Sequence, residues 1–157
     1  MLKRQSRSGF TLVEILIVVV LLGILASVVM SQVGGTTITT RKAALSDQLH
    51  GLRTQIQMYT VQHETTPNIS GSNWDDLLNQ THDPKGNLRG PYLHSIPQNT
   101  LNTFSNIAVV ATDPKFGDPV VGDKIGYIYN VNNGFIWGTN STGTKVFNEA
   151  EPDDPNN

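Results

Sequence analysis

Catalysis needs acids, bases or nucleophiles that converge, and a metal centre needs ligands at a workable spacing. The chain holds four histidines, His50, His63, His82 and His94. None stands in a His-x-x-x-His or His-Glu-x-x-His pattern, which would bring two imidazoles to one helical face for zinc. No Gly-x-Ser-x-Gly, P-loop or dinucleotide fingerprint occurs. With 0 cysteines there is no thiolate nucleophile, thiolate metal site or disulfide framework. Asp75 and Asp76 are adjacent and diverge on a helix, where they suit the first turn and its dipole. The expectation is a protein that is not an enzyme. The acids that suit a hard cation are Asp113, Asp118 and Asp123, in the stretch TDPKFGDPVVGD. Calcium takes roughly 6–8 oxygens, backbone carbonyls included. Their spacing is not that of an EF-hand, and solvated loop acids are the plainer reading.

Glu14 is singled out by its surroundings. Residues 10–30 read FTLVEILIVVVLLGILASVVM, and Glu14 is the one charge among them. A hydrocarbon core of roughly 30 Å needs about 20 helical residues, so this run fits one membrane span. Residues 1–9 carry Lys3, Arg4 and Arg7 and no acid. A basic flank stays cytoplasmic, which places the rest of the chain outside. A carboxylate at the centre of a span costs about 2.5–3.5 kcal/mol on insertion scales, so it stands there for a function. The plain alternative is that Glu14 reaches the headgroups from the helix end, where the dipole tolerates negative charge. A cleaved secretory signal has a shorter apolar region and a small-x-small site; Ile24-Leu25-Ala26 fits that poorly. An uncleaved signal anchor fits the apolar run taken alone.

The segment Ser8-Gly9-Phe10-Thr11-Leu12-Val13-Glu14, followed by the apolar run, resembles the prepilin leader of type IV pilins and type II secretion pseudopilins. The resemblance implies that a prepilin peptidase cuts between Gly9 and Phe10 and that the new N-terminal Phe10 is N-methylated. It also implies a partner for Glu14 in the Phe10 amine of a neighbouring subunit. Phe10 and Glu14 are i and i+4, so a pair within one chain is geometrically open too. Many family members carry a proline where this chain has Ser31. Here no proline precedes Pro67, and Gly23, Gly34 and Gly35 are the weaker points of the helix.

Beyond the span the pattern changes. Ile38, Leu45, Leu49, Leu52, Ile56 and Tyr59 fall on one helical face, with charged and polar residues elsewhere. The stretch ends at Thr65-Thr66-Pro67, and proline cannot continue a helix. One helix is expected from about Thr11 to about Glu64. Its second half packs on the chain's own sheet or pairs as a coiled coil. Residues 67–157 contain all 8 prolines. Ser72-Asn73 can cap a short helix at 74–78. His82-Asp83-Pro84-Lys85-Gly86 is a turn signal. Phe104–Thr112 holds a possible strand, and Gly126–Val131, Asn132-Asn133-Gly134 and Phe135–Gly138 read as a hairpin. Tyr127, Tyr129, Phe135 and Trp137 would make its cross-strand aromatic contacts. Gly90-Pro91-Tyr92-Leu93 with Ile96-Pro97-Gln98-Asn99 resembles a stretch in major pseudopilin heads.

The expected fold is α+β and pilin-like: a long N-terminal spine helix, its first half transmembrane, packed on a small antiparallel β-sheet head with long loops. The divisions are a cleaved basic leader, 1–9; a transmembrane, filament-core helix, 10–35; the amphipathic second half of the spine, 36–66; a β-rich head, 67–148; and an acidic mobile tail, 149–157. Without the leader, 8 Lys+Arg face 13 Asp+Glu, and nothing suggests a nucleic-acid partner. The resemblance implies a structural subunit of a type II secretion pseudopilus. Its expected partners are prepilin peptidase, identical subunits, minor pseudopilins and an inner-membrane assembly platform. The cysteine-free head favours this over a type IV pilin, which often has a cysteine-closed loop. A signal-anchored binding module using Trp74, Tyr92 or Trp137 is the alternative of another class. The expected location is a bacterial inner membrane, crossed once, with the head periplasmic or extracellular. No cofactor is expected, apart from the calcium that major pseudopilins bind in a loop near the C-terminus; this chain lacks the acid- and glycine-rich pattern of that site.

Overall fold

The structure is a computed structural model that describes residues 9–151, with backbone alone over 30–36. The leader proper (1–8) and the end of the acidic tail (152–157) lie outside the described residues. Helix α1 runs without a break over Leu12–His63. The chain divides into two compact units, Met1–Thr37 and Ile38–Asn157.

In the first unit the helix is apolar all round. Its 18-residue stretch Leu12–Val29 is long and apolar enough to cross a membrane. The large side chains there are all at least half exposed. An apolar surface of that size is covered by lipid or by another chain in a working protein.

In the second unit the continuation of α1 buries one stripe. Leu45, Leu49, Leu52, Ile56 and Tyr59 lie in one core with Ile69, Trp74, Leu77, Tyr92, Ile107, Tyr127, Tyr129, Ile136 and Phe147. The spacing of four and three is the 3.6-residue period read as a contact face. Ile38 belongs to the same sequence pattern but is 56% exposed, so the apolar part of the buried stripe starts at Leu45, after the buried Lys42. Each fully buried Leu or Ile contributes about 1.5–3 kcal/mol.

Helix α2, Asp75–Leu78, is one turn. Asn73 serves it, its Oδ1 accepting from the Asp75 amide at 2.8 Å. Strands β1 (Thr81–His82) and β2 (Leu88–Arg89) form a two-stranded antiparallel ladder around the turn expected at 82–86. Strands β3 (Asn106–Val110), β4 (Ile125–Asn130) and β5 (Ile136–Gly138) form a second sheet in the order β3-β4-β5.

That sheet is mixed, not antiparallel throughout. β4 and β5 are the antiparallel hairpin expected, turning at Gly134 with φ 72°. β3 and β4 run parallel. A parallel pair needs a crossover of about a dozen residues or more, and segment 111–124 supplies it. The register also corrects the aromatic contacts. Tyr127 sits opposite Gly138 and Tyr129 opposite Ile136, while Trp137 sits opposite Ile128. Trp137 therefore lies on the other face of the sheet, with Ile128 and Val146. It pairs with Phe135 at 4.8 Å, and Tyr127 meets Trp74 edge-on at 5.5 Å.

Candidate functional site

Gly9 and Phe10 precede α1, and a Cβ added at Gly9 would meet nothing within 4 Å. Phe10 is 81% exposed. The expected cleavage position is thus exposed, non-helical chain ahead of the first helical turn.

Thr11 is the N-cap. Its hydroxyl accepts from the Glu14 amide at 3.2 Å. In return Glu14 Oε2 accepts from the Thr11 backbone N–H at 3.1 Å and from the Thr11 hydroxyl at 3.2 Å. This is a capping box, Thr-x-x-Glu, in which N-cap and third helical residue satisfy each other's orphan donors. The signal was available in the residues Thr11 to Glu14, but the resemblance draws attention to processing rather than to capping. Both bonds to the carboxylate fall on Oε2. Among the described residues Oε1 takes no hydrogen bond. The carboxylate is therefore held by its own chain through one oxygen while the other stays available. Phe10 nitrogen is still a peptide nitrogen in the uncut chain. It becomes an ammonium only when hydrolysis of the Gly9–Phe10 bond adds a water and leaves a carboxylate on Gly9.

The other candidate residues do not converge. Among the described residues, no group of three or more His, Asp or Glu is placed to hold a metal ion. Asp113 Oδ1 accepts from the side-chain amides of Asn130, at 2.6 Å, and Asn133, at 2.8 Å. Asp118 Oδ2 caps its own turn, accepting from the Lys115 amide at 2.8 Å. Asp123 is exposed. The calcium that the resemblance implies does not fit this donor set: the best carboxylate oxygen is already filled by two amide donors, and the three acids do not meet.

His63 is buried, and its ring stacks on Tyr59 with centroids 4.0 Å apart. Nδ1 lies 3.1 Å from the Tyr59 carbonyl, and Nε2 lies 2.8 Å from Thr81 Oγ1. It is a satisfied core histidine. Trp74, Tyr92 and Trp137 are buried too, so they line no exposed binding cleft. The polar ends of the first two are used internally, Trp74 Nε1 donating to the Ser105 carbonyl at 3.0 Å and Tyr92 Oη to Gln62 Oε1 at 2.6 Å. Asp76, read as a first-turn acid, also accepts from Tyr59 Oη at 3.2 Å and from the Asn68 amide at 2.8 Å.

An electrostatic anchor lies in the β1–β2 turn. Asp83 accepts from the Asn87 side chain and backbone, from the Lys85 amide and from Arg89 Nε. These donors, the Asn87 side chain foremost, hold its carboxyl well below the usual carboxylate range.

An apolar helix long enough to cross a membrane, which opens on a Gly-Phe junction and a capped glutamate and leads to a small α+β head, defines a pilin-like subunit. The family described as "Prokaryotic N-terminal methylation motif" matches residues 4–30. Type II secretion system core protein G of Aeromonas hydrophila is 31% identical over 101 residues, covering 62% of this chain and 69% of the relative. The protein of the same name from Klebsiella michiganensis is 33% identical over 66 residues, 42% of this chain and 46% of its own length. No solved structure gives a significant match. The chain belongs to the family of type II secretion system core protein G, the pseudopilins. It is a structural, membrane-anchored, pilin-like subunit and not an enzyme.

Proposed function

We propose that the chain is cut by prepilin peptidase between Gly9 and Phe10, methylated on the Phe10 amine, and polymerised into a type II secretion pseudopilus. The leader 1–9 stays cytoplasmic until removal, residues 10–35 cross the inner membrane and later line the filament core, and the chain from 36 on lies in the periplasm. Glu14 receives the Phe10 ammonium of the neighbouring subunit, which offsets a charge that an apolar filament core would otherwise leave unpaired. The partners are further copies of the chain, minor pseudopilins and an inner-membrane assembly platform. The likeness to two type II secretion proteins favours secretion over a type IV pilus.

The observation that carries this reading is the geometry at Glu14: the single charge of the span is held by Thr11 through Oε2, with Oε1 left for a second, charged donor. The donors already present, the Thr11 N–H and hydroxyl, are uncharged; an ammonium donor would add the attraction of opposite charges. The test is Glu14→Leu in the full chain. The expected result is a cleaved, membrane-embedded subunit that yields no filaments. Filaments at the normal yield would refute the role given to Glu14.

A further inference from the structure

The resemblance assigns the tie near the C-terminus to calcium, and the donor set here does not fit that ion. The same region is nevertheless fastened, by side chains. Arg53, on the half of α1 that belongs to the head, gives Nη1 to Glu149 Oε2 at 2.8 Å and Nη2 to Glu149 Oε1 at 2.5 Å. Its Nε and Nη2 also donate to the Ile136 carbonyl, at 3.0 and 2.8 Å. The guanidinium lies 4.4 Å from the Phe135 ring centroid. Arg53 and Glu149 side chains are 14% and 16% exposed. One cation thus joins α1, β5 and the segment after it, in the fork geometry that suits a carboxylate.

The loops on either side are closed in the same manner. Asn140 Oδ1 accepts from the amides of Thr144 and Lys145, at 3.1 and 3.2 Å. Its carbonyl accepts from Asn102 Nδ2 at 2.9 Å. The crossover and the segment before the tail are laced by backbone bonds, Gly117 N–H to the Val146 carbonyl and Val146 N–H to the Asp118 carbonyl, both 3.0 Å. The carbonyls of Asp118, Asn140 and Val146 are thus already accepting from N–H groups of this chain.

We infer that the Arg53–Glu149 clamp, with Asp113 and its two asparagine amides, fastens the C-terminal part of the head in place of a metal ion. The head is calcium-independent, and Glu149 is structural although it opens the acidic tail. This does not depend on the processing and assembly reading.

The test is thermal unfolding of the full chain in detergent micelles, followed by near-ultraviolet circular dichroism of the buried Trp74 and Tyr127. In EDTA and in millimolar calcium chloride the wild-type midpoint is expected to agree within about 1 °C. Glu149→Gln and Arg53→Met are each expected to lower it by about 5 °C or more, equally in both solutions, since a head of this size loses roughly 3–6 °C per kcal/mol. A wild-type midpoint raised several degrees by calcium overturns the inference without any variant. So does a Glu149→Gln midpoint equal to that of the wild type.

Discussion

Thr11 and Glu14 hold each other through backbone and side chain at once, so substitutions at the two positions have different meanings. Thr11→Val removes the cap hydroxyl but leaves the charge, at a cost of about 1 kcal/mol to the first turn. Amide exchange at Glu14 and Ile15 in micelles should quicken in Thr11→Val and stay near wild type in Thr11→Ser; unchanged exchange in the valine variant would contradict the capping box. Asp83 makes a prediction about acid. Its carboxyl is held below the ordinary aspartate value of about 4. The stability it contributes is complete above pH ~4 and is lost as pH falls through the depressed folded-state value. Asp83→Asn should therefore give a shallower acid limb, by up to one proton in the pH slope, and an identical slope would contradict the assignment. Glu14 was legible as a functional residue because a lone charge in a span needs a reason. Asp83 was read only as part of a turn, since its worth lies in donors from Lys85, Asn87 and Arg89 that converge only after the turn closes.

Helix α1 was legible almost to the residue because an unbroken apolar run leads into a stretch with one helical period, and Pro67 ends it. The hairpin was legible because Asn-Gly sits between two β-rich runs. The parallel pairing of β3 with β4 was not, since nothing local in either strand records a partner across a crossover. Strands β1 and β2 pair two residues each, too short to carry an alternation. The elements carry their own tests. Leu49 is fully buried in the stripe, so Leu49→Ala should cost about 3 kcal/mol and lower the midpoint by roughly 10 °C. A Cβ at Gly126 would come 2.1 Å from the Phe104 carbonyl oxygen. That neighbour is backbone and cannot swing aside, so Gly126→Ala should cost about 3 kcal/mol or more. A soluble, wild-type-like melt for Gly126→Ala would show that β4 and the Phe104 turn do not approach as described.

At the scale of the molecule, the four tyrosines all report on the packed head. Burial raises Tyr59 and Tyr129 to about 12, with Asp76 adding to the effect at Tyr59. Burial raises Tyr92 and Tyr127 as well. Their contribution to stability is complete below pH ~10 and is lost as pH rises through the folded-state values. Phenolate absorbance should thus stay flat through pH 10 and rise with unfolding, and a normal titration at pH 10 by the folded protein would contradict the packing of α1 against β4. The two units of the chain bury apolar surface differently. The head does so on its own core; the exposed span Leu12–Val29 needs lipid first and, in the reading above, other copies of itself later. In that reading the move from lipid to other copies requires a free Phe10 amine, so cleavage precedes assembly. The decisive measurement is the mass of the N-terminal peptide of the native protein taken from membranes. The account predicts a chain that begins at a methylated Phe10. A chain that keeps Met1 to Gly9 would contradict it and leave a signal-anchored protein in place of a filament subunit.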